Sequence, residues 1–571
     1  MFVKQIKTCK GRVFIEIVEG FRNELGKPGH RVVRKLGYLD ELDASHGGNG
    51  LSWAKEEANR LGKELLPEKE ITLTSGRTMD PSISTKKNIG YLSLKPIYKT
   101  LDLSSLCSAL QAKHPKANFK FDDVLQFLIY SKIVDADSKL SSFTRKGQYI
   151  DSFPFSEEEM YRSLETIGES WEQIKDYAYS KTKETYGVNL SLTHYDGCNF
   201  YFEIDKEDEL RKKGPSKEGR VEPIVGIGLL SDADMLPIDL KIYPGNESEK
   251  PHFTEVIDEM RSKHKITGRT IYVADRGLNT GNNIYSAMKH GDGYIYGQTI
   301  QSEKARKWAL LDKGYKVTLD KDGTIVYKEK SWIDEEAYVN YIGEDNKSKS
   351  HKTVQKQIVF YSKDYADKQK AERAKLISKA RAFISSPKGY TRSKIGDAAT
   401  FVKFASFDKE TGEYKEGTDE PILDIEAINK QAELDGYFMV VSSETKMSDK
   451  DILDAYSAQK GEERSFRVSK TYLKIRPVYV SRESRIKCHI LISYLALLFL
   501  RIMEQRVLKK VMPIEEIIDS IREYEAASIA PNVYFFFSYN HYVDLLASRS
   551  GSSARLETQS LGAIKKMFKG Y

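Results

Sequence analysis

The sequence predicts an α/β protein built on a mixed sheet, with helical regions on both sides of it and a mainly β insertion inside it. Three observations predict this. From Leu190 the chain reads LSLTHYDGCNFYFEI, which carries the alternating aromatics Phe200 and Phe202 of a strand, with a turn expected at Gly197. Residues 224–230 and 237–242 read as further strands, after which strand-like runs at 270–274 and 294–297 alternate with helical patterns at 252–264 and 282–290. Strands that are first contiguous and then separated by helices give a sheet antiparallel in one part and parallel in another. Residues 300–434 then break into short charged pieces such as YKVTLDKDGTIVYKEK, and the α/β texture resumes only at Ser448.

A chain of 571 residues calls for three or four units at about 150 residues each. Residues 13–18 and 31–36, rich in β-branched side chains and separated by a Gly-Lys-Pro-Gly turn at 26–29, read as a basic β-hairpin unit over residues 1–50. Residues 1–36 hold nine Lys or Arg against three Glu, close to the whole net charge of +7. Such a hairpin fits a nucleic-acid contact and equally a solvated edge. HGGN at 46–49 reads as a flexible link. Helical patterns at 53–65, 95–101, 121–134, 157–167 and 171–185 make residues 51–187 a helical region; Phe121, Val124, Leu125, Leu128 and Ile129 keep amphipathic spacing.

The α/β core is expected in two parts, residues 188–300 and 436–512, on either side of the insertion over 301–435. The first part contains a basic loop, RKKGPSKEGR, with Arg211, Lys212, Lys213, Lys217 and Arg220. The insertion carries one charged helix at 366–383. Residues 485–509 read as a long helix with a buried middle, because its apolar run at 490–500 is interrupted by Ser493 and Tyr494 and is shorter than the roughly 20 residues of a membrane span. Helical pieces fill 513–571 and end in a basic tail with Lys565, Lys566 and Lys569.

Composition narrows the function classes. With 40% hydrophobic and 30% charged residues the chain can bury real cores, and its mild basic excess fits a polyanionic partner without requiring one. Cys9, Cys107, Cys198 and Cys488 are scattered, which argues against a disulfide framework or a structural zinc site and fits a reducing, cytoplasmic setting. The first twenty residues lack the apolar core of a signal peptide, and no membrane partner is expected.

The chemistry concentrates in SDKDILDAYSAQKGEERSFRVSKTYLKIR, residues 448–476. Ser448 with Asp451 reads as a capping box opening a helix. Tyr456, Glu463 and Lys470 recur every seven residues, which returns them to one helical face within roughly 20° per step. Arg464, Arg467 and Lys474 surround that face with cations of the kind that bind phosphate. Taken alone, the segment also reads as a solvated charged helix. Upstream, Asp196 stands in THYDG and Asp275 ends a buried strand in VADRG. Either aspartate singly reads as a turn residue. Two strand-end carboxylates converging with Glu463 give hard oxygen ligands suited to Mg²⁺ or Mn²⁺, and two such ions support phosphodiester displacement.

The order YDGCNFYFE, YVADRGL, then Tyr456, Gln459, Glu463 and Lys470 resembles the insertion-sequence DDE transposases of the Tyr-Arg-Glu-Lys motif group. GKPGHRVVRKLGYLDEL, SKEGR, PIDLKIYPGNESE, DGYFMVV and RPVYVSRESRIKCHILISYLALL extend the resemblance over most of the chain. It implies an RNase H-like catalytic domain interrupted by a β-rich insertion. It also implies that Asp196, Asp275 and Glu463 hold two Mg²⁺ or Mn²⁺ ions, that Tyr456 and Lys470 contact DNA near the cleaved end, and that two copies pair on double-stranded transposon-end and target DNA. Gln459 stands where the motif has Arg, and cannot make a charged bidentate contact to phosphate. A different RNase H-like nuclease and a domesticated, non-catalytic DNA-binding protein are the alternatives.

Overall fold

The computed structural model describes residues 1–8, 11–22, 28–64, 86–115, 117–204, 206–214, 222–264, 268–300, 302–407, 413–415 and 420–569. Cys9, the first half of the Gly-Lys-Pro-Gly turn and the SKEGR stretch with Lys217 and Arg220 lie outside them. The chain separates into two compact units, Met1–Pro81 and Ser82–Tyr571.

The first unit is larger than a hairpin. Strands β1 (Phe2–Lys7), β2 (Val13–Arg22) and β3 (Pro28–Tyr38) form an antiparallel meander, followed by helices α1 (Leu39–Ser45) and α2 (Gly50–Glu64). Ile15, Leu42 and Ala54 make a small core that joins sheet to helices. HGGN is therefore a tight turn inside the unit rather than a link: Gly48 N–H donates to Asp43 O at 2.8 Å, and the His46 ring stacks on Trp53 at 4.1 Å. Part of the basic excess is neutralised locally, since Arg12 pairs with Asp40 and Glu41, Arg31 with Glu19, and Arg34 with Glu57.

In the second unit a short strand β4 (Lys86–Asn88) precedes the helices α3 (Lys95–Thr100), α4 (Leu103–Lys113), α5 (Phe121–Val134), α6 (Lys139–Thr144), α7 (Glu157–Glu169) and α8 (Trp171–Tyr186). α7 opens on a true capping box between Ser156 and Glu159. The sheet then forms from β5 (Leu192–Tyr201), β6 (Ile224–Asp232), β7 (Pro237–Pro244), α9 (Glu249–His264), β8 (Ile271–Ala274), α10 (Gly281–Lys289) and β9 (Gly293–Gln298). β5, β6 and β7 are antiparallel neighbours, whereas β5, β8 and β9 are parallel, giving the order β7-β6-β5-β8-β9 of an RNase H-like core. No turn occurs at Gly197. β5 runs through it, paired with Gly228, and the residue is glycine because a Cβ there would run into the Glu249 carboxylate.

The insertion is part of this sheet. After α11 (Glu303–Leu310), strands β10 (Lys316–Leu319), β11 (Ile325–Ile342) and β12 (Ser348–Ser362) continue it to nine strands. The remainder is more helical than expected: α12 (Lys363–Ser385), α13 (Arg392–Ile395) and α14 (Ile425–Ala432) pack around two ribbons, β13 (Val402–Lys403) with β16 (Ile422–Leu423) and β14 (Ser406–Phe407) with β15 (Tyr414–Lys415). β17 (Tyr437–Ser442) then returns between β12 and β9.

α15 (Asp449–Ala458), α16 (Lys460–Arg467) and α17 (Glu483–Ile502) follow. α9 and α10 cover one face of the sheet through Phe253, Ile257 and Ile284, and α15 to α17 cover the other. α17 is the hub between sheet and helical region, with Ile486 and every residue from Cys488 to Ile502 buried. Each such Leu or Ile contributes roughly 1.5–3 kcal/mol of burial. The stretch Glu483–Val507 is long and apolar enough to cross a membrane, but 94% of its apolar window is buried inside the protein.

The C-terminal region is not purely helical. α18 (Ile514–Glu523), α19 (His541–Arg549) and α20 (Leu561–Met567) are joined by β18 (Glu525–Ala530), β19 (Val533–Phe536) and β20 (Thr558–Ser560). These strands form a sheet with β4, 437 residues upstream by the Asn88–Glu525 pair, a partner no local pattern announces.

Candidate active site

β5 and β8 set two carboxylates side by side. Their parallel register pairs Tyr195 with Ala274, so the next positions, Asp196 and Asp275, stand level on adjacent strands, about 4.8 Å apart in the pairing direction. Tyr195 enters the core beneath α9, so alternation turns Asp196 toward the opposite face, where α16 lies. Asp275 ends its strand and caps the following turn, its Oδ1 accepting from Leu278 N–H at 3.1 Å. Asp196 Oδ1 accepts from Gly197 N–H at 2.8 Å.

Over these strand ends runs the helix at Ser448. The Ser448 hydroxyl accepts Asp451 N–H at 3.1 Å and donates to the Asp451 carboxylate at 2.6 Å, so it caps α15 without the full reciprocal box. α15 lies close on the sheet because β9 offers Gly297 beneath it: a Cβ there would stand 2.5 Å from the Tyr456 hydroxyl. Tyr456 is thereby set among charges. Burial, then the carboxylate of Asp275, push its phenol up to about 12; Arg276 opposes this and Glu463 adds to it. The helix is interrupted by a turn at Gln459, and beyond it Glu463 is exposed and close enough to Tyr456 to act on its phenol.

Lys470 departs from the seven-residue register. Residues Val468–Tyr472 form a π turn, which winds wider than an α-helix, so Lys470 does not complete the face as a regular heptad would.

Glu462, one position earlier, is fully buried and finds no hydrogen-bond partner among the described residues. Burial pushes its carboxyl up to about 8, against the pull of Ser231 and Arg501 and with Asp196 adding to the rise. It is a neutral acid in the wall of the site.

Three expected DNA contacts are employed elsewhere. Gln459 is buried: its Nε2 donates to Tyr195 O at 2.7 Å and its Oε1 lies 3.0 Å from His194 Nδ1. Burial lowers the His194 pKa to about 4, so the ring is neutral and Nδ1–H donates to the amide oxygen. The side chain thus fastens the α15–α16 junction to β5 beside Asp196 and is turned into the protein interior. Arg464 donates from Nε to Glu515 Oε1 at 2.9 Å, and Arg467 reaches the same carboxylate at 3.2 Å, which ties α16 to α18. Glu515 falls to about 2, chiefly through the Arg464 hydrogen bond. Lys474 lies beyond the π turn, exposed, with its carbonyl accepting from Lys132.

Beside Asp275, Arg276 and Tyr456 opens a cleft of about 680 Å³ whose lining includes Gln369 and Arg373 of α12, from the insertion, and Phe438 of β17, just after it. Arg373 is held by Asp435, its Nη2 at 2.5 Å. The sequence reading missed this lining and His194, and gave no sign that Glu462 is buried. The strand alternation that pairs His194 with Asp196 on one face was the only available signal.

The carboxylates of Asp196, Asp275 and Glu463 are hard oxygen donors with no thiolate or metal-binding imidazole among them, a set that fits Mg²⁺ or Mn²⁺. Among the described residues, no three His, Cys, Asp or Glu side chains converge closely enough to hold an ion. Glu463, being exposed, has room for the rotamer change that convergence requires.

The family described as Transposase DDE domain matches residues 202–499, more than half of the chain, a span that begins six residues after Asp196 and includes Asp275 and Glu463. The family described as IS1634 family transposase, N-terminal domain, matches residues 3–70. No curated protein matches the chain. A cryo-EM structure of a piggyBac transposase synaptic complex with hairpin DNA is similar over 70% of each chain, at 10% identity and a TM-score of 0.34, too loose a likeness to bear on function. With the DDE domain matched over more than half of the chain, and a transposase N-terminal domain matched ahead of it, the chain belongs to the transposases with a DDE domain.

Proposed function

We propose that this transposase binds the terminal inverted repeats of its element, cleaves DNA at their ends and joins those ends to target DNA, with Asp196, Asp275 and Glu463 as the catalytic carboxylates and the Tyr-Arg-Glu-Lys motif present with Gln459 in the Arg place. The observation that carries the reading is the β5–β8 register, which levels Asp196 with Asp275 beneath the helix that turns Glu463 to the same end of the sheet.

The three carboxylates would hold two divalent ions, which supply activation of a water or 3′-hydroxyl and stabilisation of the leaving oxygen. The chain's own groups do the rest. Tyr456 stays protonated at neutral pH and can donate to a phosphate oxygen between Asp275 and Glu463. Arg276, next to Asp275, adds positive charge where the transferred phosphate gains negative charge. Gln459 and His194 hold the helix in register with β5. Joining two ends requires that they be held together, which favours a dimer on double-stranded DNA, acting in the cytoplasm where the element's DNA lies.

The test is cleavage of end-containing DNA with Mg²⁺. Asp196→Asn and Asp275→Asn are expected to bind the ends and fail to cut. Full cleavage by either variant, or in excess chelator, rules the assignment out.

A further inference from the structure

Away from the carboxylates, a cavity of about 220 Å³ opens between the turn joining α5 to α6, the segment after the π turn, and α17. Ser138, Lys139, Lys474, Arg476, Tyr479 and His489 line it. Two lysines are buried here, Lys132 with 2% and Lys139 with 8% of their surface exposed. Lys132 Nζ donates to Lys474 O at 3.2 Å. The Lys139 ammonium makes no hydrogen bond and no ion pair among the described residues.

A buried ammonium without an anion is costly, and the fold does not provide the anion. Asp137, on the rim, already accepts from its neighbour Ser138 N–H at 2.8 Å, from Ser141 Oγ at 2.9 Å and from Arg145 Nη2 at 2.8 Å. Asp135 is engaged by Gln148 Nε2 at 2.6 Å. His489 is neutral and donates from Nε2 to Ile475 O at 2.7 Å, and Cys488 stays a thiol because burial raises it to about 12. Burial also lowers both lysines, and Lys139 and Lys474 lower Lys132 further. An oxyanion in the cavity would oppose the lowering of both lysines.

We infer that this pocket takes a phosphate of the DNA backbone, held by Lys139 from the floor and Lys474 from the rim. The choice of DNA as the source rests on the transposase reading above. It also rests on placement: Lys474 follows the catalytic helix directly, and Tyr479, 75% exposed, presents a ring at the mouth on which a sugar or base can pack.

The experiment uses the full chain and its Lys139→Gln variant, with Lys474→Gln on the exposed rim as the second variant should the first fail to fold. Thermal melting is compared in inorganic phosphate and in chloride at equal ionic strength. Affinity for duplex DNA, with and without the element's end sequence, is measured across a salt series. Phosphate should raise the melting temperature of the wild type and not of the variant. The variant should bind both duplexes about three- to tenfold more weakly, with a salt slope smaller by about one. Unchanged affinity and slope overturn the inference. Loss of the phosphate effect with an unchanged slope overturns the DNA source, leaving a site for free phosphate. If the variant loses affinity and slope as expected but the wild type never cuts ends, the strand-transfer reading fails and the pocket stands.

Discussion

Two neighbouring glutamates differ sharply at the level of single residues. Glu463, the proposed catalytic carboxylate, is exposed near Tyr456, whereas Glu462 is buried as a neutral acid. Glu463→Gln should abolish cleavage and leave end binding intact; Glu462→Gln should keep cleaving. A folded carboxyl raised to about 8 from 4.5 adds stability that is complete below about 4.5 and is lost as pH rises toward 8. Melting curves across that window should therefore fall with pH more steeply in the wild type than in Glu462→Gln; parallel curves would refute the buried neutral acid. Gln459→Arg tests the other inward-turned residue. An Arg here would drive a cation into the space against neutral His194, costing on the order of 2–4 kcal/mol without a gain in DNA affinity. Tighter end binding by a stable variant would show that position 459 does reach DNA. The seven-residue spacing in the sequence selects Glu463 over Glu462, and the pair of variants tests that choice. It could not show where Gln459 points, because that depends on His194 and the Tyr195 carbonyl, 264 residues away in the chain.

Among the elements, α16 is held from behind. Arg464 and Arg467 grip Glu515 of α18, and that carboxyl is held near 2, well below its ordinary 4.5. The stabilisation is present above about pH 4.5 and is lost as pH falls toward 2; with the pair partly exposed it is on the order of 1 kcal/mol. Glu515→Gln should melt a few degrees lower than the wild type at pH 7, with the gap closing by about pH 3. A gap independent of pH would mean that packing, not charge, joins the helices. Most helices and the core strands were legible because each carries its own period, as α5 does. Three things were not: the continuity of the inserted strands with the sheet, the π turn under Lys470, and the union of β4 with β18. Each depends on backbone pairing or winding that leaves no local pattern.

For the molecule as a whole, the first unit is the basic part expected to bind DNA, although ion pairs take up Arg12, Arg31 and Arg34. Lys4, Lys7 and Lys35 are exposed and make no ion pair among the described residues. Deleting residues 1–81 should lower the salt slope of end binding by about two to three, at roughly 0.9 per phosphate contact. An unchanged slope in the folded remainder would place recognition in the second unit. The inserted strands carry a different consequence, for solubility. β17 is hydrogen-bonded on one side to β9 and on the other to β12. If residues 301–435 were excised to obtain a smaller catalytic core, the Tyr437–Ser442 strand would be left as a bare sheet margin of six residues, YFMVVS, with neither a charge nor a proline. Such a margin templates strand addition from another chain, so a minimal version of this enzyme would be prone to precipitate before it could be assayed.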